Sequence, residues 1–145
     1  MSVLLEVDDL KISARRDDDS LLPIVKGVSF SVARGEVVAL IGESGSGKTT
    51  IALSALGYTK PGLEFAGGEV RLEGEDVITM GSDQLRSLRG QRVAYLAQSA
   101  AATFNPALTI GEQVTESCVL HGILNQQQAT ERARSEEHTS ELQSQ

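Results

Sequence analysis

One cysteine, Cys118, is the only thiol in these 145 residues, so an intrachain disulfide is excluded and the chain reads as cytosolic. The start lacks the succession of charged, apolar and small residues that marks a signal peptide. No apolar stretch approaches the ~20 residues needed to cross a bilayer, so any membrane association would pass through a partner. Basic residues are scarce as well: 13 Lys and Arg stand against 20 Asp and Glu, a formal charge of −7. Nucleic-acid binders draw most of their affinity from neutralised phosphates, and an acidic chain without a basic patch argues against that class. Arg15-Arg16 is followed at once by Asp17-Asp18-Asp19, which compensates the pair and reads as a solvated loop. There is no internal repeat and no linker between two complete domains.

What the chain does have is a glycine-rich run. Gly42-Glu43-Ser44-Gly45-Ser46-Gly47-Lys48-Thr49 fits G-x-x-x-x-G-K-[ST] and follows the apolar, strand-like run Val37 to Ile41. At average composition such a match arises by accident in roughly one chain of this length in a few hundred. The residue types answer a chemical need. A triphosphate requires several backbone N–H donors converging on its oxygens, and a side chain at Gly42, Gly45 or Gly47 would obstruct that approach. Lys48 to Leu56 reads as a helix whose first free N–H groups and positive dipole end face the phosphates. Lys48 is then a point charge for the β and γ phosphates, and the Thr49 hydroxyl fills one place in the octahedral oxygen shell of Mg²⁺. Thr50 offers a further hydroxyl along the phosphate chain. The ligand implied is a nucleoside triphosphate with Mg²⁺.

Around this loop, Leu4 to Val7, Leu10 to Ile12 and Val28 to Val32 read as strands of a small antiparallel sheet. Arg34-Gly35 turns the chain into Glu36 to Ile41, whose unbroken apolar core suits a strand buried on both faces. Glu69 to Leu72, a turn at Glu73-Gly74 and Asp76 to Ile78 form a hairpin pattern. Ser82 can cap a short helix over Asp83 to Leu88, and Val93 to Leu96 reads as a strand running into Ala97-Gln98. Thr109 with Glu112 is a capping box that opens a helix over Ile110 to Leu120, and Asn125 with Gln128 marks a second helix start. Cys118 falls on the Ile110, Val114, Cys118 side of that helix and is expected in the core. His121 is expected at the surface or as a cap.

Taken together, Val28 to Val32 (VSFSV), Arg34 to Glu36 (RGE), the loop GESGSGKTT, Gly67 to Val70 (GGEV) and Gln98 after an apolar strand resemble the ATP-binding subunit of ABC transporters. Glu43 inside the loop and Phe104-Asn105-Pro106 after Gln98 resemble the group that powers import of dipeptides, oligopeptides and nickel. The resemblance implies an α/β fold of phosphate-loop NTPase type, N-terminal part only: a small antiparallel subdomain plus an incomplete parallel-sheet core with helices. It covers residues 4 to about 133 and implies that residues 1–133 are a partial ATP-binding domain through the glutamine loop and the start of the helical subdomain. It gives Gln98 a contact to the Mg²⁺ and water region and a sensing role toward the membrane subunit, with Ser99 to Pro106 forming much of the docking surface. The implied partners are two membrane-spanning permease subunits, a second ATP-binding subunit or domain and, indirectly, a periplasmic or lipid-anchored solute-binding protein. The implied place is the cytoplasmic face of the membrane.

Departures from the family pattern are as informative. The aromatic residue that usually stacks on adenine near the end of the second N-terminal strand has no equivalent in Ile12-Ser13-Ala14. Ser99-Ala100-Ala101-Ala102 replaces a more acidic, proline-containing stretch. Nothing after Gln98 resembles the LSGGQ-type signature, the apolar strand ending in Asp-Glu, or the switch histidine, so no catalytic residue is assigned and turnover is not expected. Residues 134–145 (RSEEHTSELQSQ) resemble the translation of a sequencing-library adapter and are expected to be disordered, which removes His138 from consideration. Without Arg134, Glu136, Glu137 and Glu141 of that tail, 12 basic and 17 acidic residues remain, a charge of −5. A soluble ABC-type ATPase acting on DNA or ribosomes is the alternative, disfavoured by the acidic balance. A phosphate-loop kinase outside the ABC group would need an acceptor pocket that no residue here identifies.

Overall fold

The computed structural model describes residues 2–99 and 104–143. They form two compact units, one up to Tyr95 and one from Leu96. The sequence signals that division only through the polar, alanine-rich stretch after Gln98.

The first unit is built on a four-stranded antiparallel sheet of order β2-β1-β3-β4, from β1 (Val3–Arg15), β2 (Leu21–Ala33), β3 (Leu63–Leu72) and β4 (Glu75–Asp76). The two short strands expected near the start are one long strand with a defect in it. Val7 and Leu10 are both buried although three residues apart, which a strict period of two forbids. The extra residue is absorbed at Asp8-Asp9, where the register shifts against both β2 and β3 and Asp9 takes a φ of 44°. Ser29 supports the bulge, its Oγ accepting from the Asp9 N–H at 2.9 Å and donating to Asp8 at 3.3 Å. Gly68 makes it possible. A Cβ there would fall 2.5 Å from the Asp8 carbonyl oxygen, and its φ of 81° is already in the left-handed region.

Helices α1 (Lys48–Ser54) and α2 (Ser82–Leu88) lend Ile51 and Leu88 to a core of Val7, Leu10, Ile12, Val25, Val70, Leu72 and Val77. Each such side chain contributes about 1.5–3 kcal/mol of burial. The cap of α2 lies one residue earlier than expected: Gly81, not Ser82, precedes the helix, and its N–H donates to the Gln84 Oε1 at 3.0 Å. The Glu73-Gly74 hairpin turn is present, with Glu73 at a φ of 51° and Gly74 at 86°. Arg34, Glu73, Arg92 and Glu75 bind it to the end of β2 and to the chain beyond α2, through Arg34–Glu73, Arg92–Glu73 (2.8 Å) and Arg92–Glu75 (3.0 Å) ion pairs.

The two runs expected to supply parallel strands make no ladder among the described residues. Val37 and Ile41 are 94 % exposed, and Val93 makes only an isolated bridge to Arg89. A strand of a parallel sheet is buried on both faces and needs a hydrogen-bonding neighbour on each side, and no described segment provides one. The fold is thus the antiparallel part of the expected α/β architecture, its helices, and two extended apolar segments without strand partners.

The second unit is a helical hairpin of α3 (Ile110–Leu120) and α4 (Gln126–Gln143). Both capping signals are realised. Thr109 accepts from the Glu112 N–H at 3.2 Å while Glu112 accepts from the Thr109 N–H at 2.9 Å, and Asn125 and Gln128 exchange bonds of 3.1 and 2.9 Å. His121 is the C-cap of α3, as expected. The apolar side of α3 is not in a core: Ile110 and Val114 are exposed and Cys118 is half-buried. The reason lies in α4, whose first turns (QQQATERA) carry no apolar stripe to cover them. The helix pair buries the small residues Thr115 and Ala129 instead. Residues 134–143, expected to be disordered, continue the backbone of α4. Among the described residues no helix is long and apolar enough to cross a membrane.

Candidate functional site

The loop from Gly42 to Gly47 joins the extended Val37–Ile41 segment to α1, and its shape follows from two glycines in left-handed conformations, Gly45 (φ 82°) and Gly47 (φ 88°). At Gly45 a Cβ would meet nothing within 4 Å, so backbone conformation and not crowding requires glycine there. At Gly42 the fit is close instead: a Cβ would stand 3.0 Å from the Ser46 Oγ, which would have to give by a few tenths of an ångström. Gly47 leans on β2, where its Cβ position is 3.4 Å from the Val25 side chain and 3.7 Å from the Ile24 carbonyl. The loop is thereby seated on the sheet.

Lys48 closes the loop on itself. Its ammonium donates to the carbonyl oxygens of Gly42 (2.8 Å) and Glu43 (2.5 Å) and to the Ser46 Oγ (3.2 Å). Three acceptors from the loop therefore hold one cation at its centre, and the Ser46 N–H to Glu43 carbonyl bond of 3.3 Å tightens the turn. The Ser44 and Glu43 side chains are exposed on the outer rim. Thr49 is exposed at the start of α1, while Thr50, one step of about 100° around the helix, is buried. Ile51 takes the first helical bond, its N–H donating to the Gly47 carbonyl at 2.9 Å. The N–H groups ahead of it have no intrahelical acceptor. Beside the loop, Lys48, Thr49 and Ala52 of α1 border an open cleft of about 310 Å³ whose other wall is Val38, Leu40 and Tyr95.

Gln98 lies in the second unit, exposed at a bend. Of the docking stretch expected after it, Ala100 to Thr103 fall outside the described residues. Phe104-Asn105-Pro106 is held by a residue the sequence reading missed. Gln113 of α3 accepts from the Asn105 N–H at 2.7 Å and donates to the Asn105 carbonyl at 3.0 Å, while Asn105 Oδ1 receives the Ala107 N–H at 3.0 Å. Spacing alone gives no signal for such a clamp, because it depends on the loop returning to the first turn of α3. The cleft residues Tyr95, Val38 and Leu40 also went unassigned, since they read as interior strand positions.

The arrangement sets a held cation beside a helix start, two parts that an anion-binding loop requires. Among the described residues no group of three or more His, Cys, Asp or Glu could hold a metal ion, so a bare divalent ion has no cage here. The exposed Thr49 hydroxyl fits a metal that arrives already coordinated by phosphate oxygens.

The chain belongs to the ABC transporter family, which matches residues 25–145. It is 39% identical over 134 residues to the oligopeptide transport ATP-binding protein AppD of Bacillus subtilis, covering 92% of this chain and 40% of that protein. It is 36% identical over 121 residues to the oligopeptide transport ATP-binding protein OppD of Mycobacterium tuberculosis, covering 83% of this chain and 19% of that one. The chain thus spans well under half the length of these relatives. Its fold matches the dimeric structure of MJ0796, a bacterial ABC transporter cassette, with a TM-score of 0.75 at 20% identity, over 91% of this chain and 55% of that one. A second structure of that cassette, in a post-hydrolysis state bound to ADP and Pi, matches with a TM-score of 0.71.

Proposed function

We infer that this chain is the nucleotide-binding part of the ATPase subunit of a peptide importer. The observation that carries the reading is the closed Gly42–Thr49 loop, with the Lys48 ammonium held by three loop acceptors and the Thr49 hydroxyl exposed beside it. A triphosphate entering the mouth replaces those weak, exposed acceptors with phosphate oxygens, and Lys48 neutralises their charge. The backbone N–H groups of Gly45 to Thr49 and the start of α1 complete the cradle, with Ser44 on its rim, the Ser46 hydroxyl beside Lys48, and Thr50 assigned a hydroxyl contact further along the phosphate chain. Thr49 would offer an oxygen to Mg²⁺ arriving with the nucleotide, which would neutralise phosphate charge, and Gln98 is assigned the water-side position.

The names of AppD and OppD support peptides as the cargo of the parent protein. Two permease subunits, a second ATP-binding subunit or domain and, indirectly, a solute-binding protein are its proposed partners, at the cytoplasmic face of the membrane. The dimeric cassette structure supports the paired arrangement. Hydrolysis is assigned to the intact subunit, because the Asp-Glu pair, the signature and the histidine that complete such a site have no counterpart in residues 1–133. The 134–145 tail is assigned no role. Titration calorimetry with Mg·ATP tests the reading: saturable one-site binding without phosphate release is expected, and absence of binding overturns it. Salt-sensitive nucleic-acid binding would favour the DNA or ribosome alternative, which the net charge of −7 disfavours.

A further inference from the structure

Helix α1 is seven residues long, about 10 Å at 1.5 Å per residue, and far shorter than the ~12–15 residues at which an isolated helix becomes even marginally stable. Its place is therefore set by what grips it. The first turn presents Lys48 and Thr49, and the buried Ile51, Leu53 and Ser54 face inward. The far end closes in tight turns through Leu56 and Gly57, whose N–H groups bond to the Leu53 and Ser54 carbonyls at 3.0 and 2.9 Å. Those turns leave the Leu56 and Gly57 carbonyls facing Arg89, at the end of α2. The half-buried Arg89 guanidinium spans both, its Nε donating to Leu56 at 2.9 Å and its Nη2 to Gly57 at 3.1 Å.

The fit at that end is close. Gly57 has a φ of 61°, and a Cβ on it would stand 2.6 Å from the Leu85 side chain and 2.7 Å from the Val77 carbonyl oxygen. Arg89 is anchored in turn: its own N–H bonds to the Leu85 carbonyl at 3.0 Å, and its backbone bridges Val93, two residues before the Tyr95 that lines the cleft beside Lys48. One side chain thus ties the tail of the phosphate-facing helix to the end of α2, and it does so with a cation at the negative end of the helix dipole.

We propose that Arg89 is a positioning residue for the triphosphate loop, fixing α1 from its C-terminal end so that Lys48 and Thr49 keep their place when the ligand arrives. The proposal rests on the nucleotide-binding reading above. Two physical contributions are distinguishable. The two-carbonyl fork holds the helix in place, and the charge strengthens those two bonds to the last carbonyls; both act on the phosphate end of the ligand and not on its base.

The test uses the whole 145-residue chain with Arg89→Gln and Arg89→Lys, titrated with Mg·ATP and with inorganic tripolyphosphate at a temperature where circular dichroism shows each variant folded. Arg89→Gln loses the two-carbonyl fork and should weaken both ligands by the same factor, about two- to tenfold, the net worth of about one hydrogen bond. Arg89→Lys keeps a charged donor for one of the two carbonyls without the fork and should lose less. A purely structural role would lower the melting temperature and leave both affinities of the folded variant unchanged, which overturns the proposal. A loss confined to ATP overturns it as well. If Arg89→Gln fails to fold, Arg89→Lys decides, and unchanged tripolyphosphate affinity in that variant is the overturning result. A wild-type chain that binds neither ligand overturns the nucleotide reading itself, a result distinct from wild-type binding that the variants leave intact.

Discussion

Replacing Lys48 with Ala separates the loop's shape from its affinity, because the same ammonium serves both. In the free chain it donates to Gly42, Glu43 and Ser46, all in solvent-exposed bonds. Bonds of that kind compete with water, so removing them should cost the free fold about 0.5–1.5 kcal/mol. With the ligand bound, the lysine exchanges loop carbonyls for phosphate oxygens, and hydrogen bonds to charged groups are worth about 1.5–3 kcal/mol. The net loss on binding is the difference, about 1–2 kcal/mol, or roughly a 5- to 30-fold rise in Kd. Lys48→Met, which keeps most of the aliphatic stem, should behave like Lys48→Ala. Titration with Mg·ATP and with tripolyphosphate should give the same factor for both, since the base is untouched. The unliganded melting temperature should fall by no more than about 5 °C. Unchanged affinity in a folded variant would refute the phosphate-loop assignment; loss of the fold would refute the view that these bonds are marginal in the free chain.

Other consequences are equally open to measurement. The Glu73 carboxyl is held below the ordinary value of 4.5, foremost by the Arg92 hydrogen bond and further by Arg34, so its contribution to stability is present above that value and is lost as pH falls through the depressed one. The melting-temperature gap between the wild type and Glu73→Gln should therefore shrink on acidification from pH 7 to 3, and a gap constant with pH would refute the role of charge there. Gly68→Ala sets a Cβ against the Asp8 and Asp9 carbonyls at a φ of 81°, which should cost about 3 kcal/mol or more by urea denaturation; an unchanged midpoint would show that the bulge can relax. Val37 and Ile41 present an unpaired apolar segment, so residues 1–133 should be marginally stable and self-associate in sedimentation, with Val37→Lys shifting the population toward monomer. A monomeric wild-type preparation with a sharp cooperative melt would count against that view.

The features legible in the sequence were those decided by neighbours along the chain. The Thr109–Glu112 and Asn125–Gln128 caps, the Glu73-Gly74 turn, the Arg34-Gly35 turn and the glycine-rich loop ahead of α1 each need only a few adjacent residues to declare themselves, and each of these local shapes is present. The bulge at Asp8-Asp9 was written there too, in the break of alternation between Val7 and Leu10. It was read as the gap between two strands because its partners, Ser29 and Gly68, lie about 20 and 60 residues away. Arg89 and Gln113 could not be found in this way. Each acts on backbone carbonyls of a distant or returning segment, and carbonyls carry no sequence signal.

The two apolar runs, Val37–Ile41 and Val93–Leu96, show where local pattern stops being sufficient. Their composition specifies a strand buried on both faces, and the structure keeps Val37, Ile41 and Leu96 almost fully exposed. Propensity can select an extended backbone, but a strand of a parallel sheet exists only with its neighbours, since the ladder supplies the hydrogen bonds its N–H and C=O groups require. The cleft bounded by Val38, Leu40 and Tyr95 has walls taken from those same two runs, with Lys48, Thr49 and Ala52 along its side. These extended apolar segments therefore adjoin the start of α1, beside Lys48 and Thr49. Whatever pairs with those segments would stand within reach of Lys48 and Thr49. Nucleotide affinity should therefore respond to occupancy of the segments as well as to the loop, and an ATP affinity independent of self-association across a concentration series would refute that coupling.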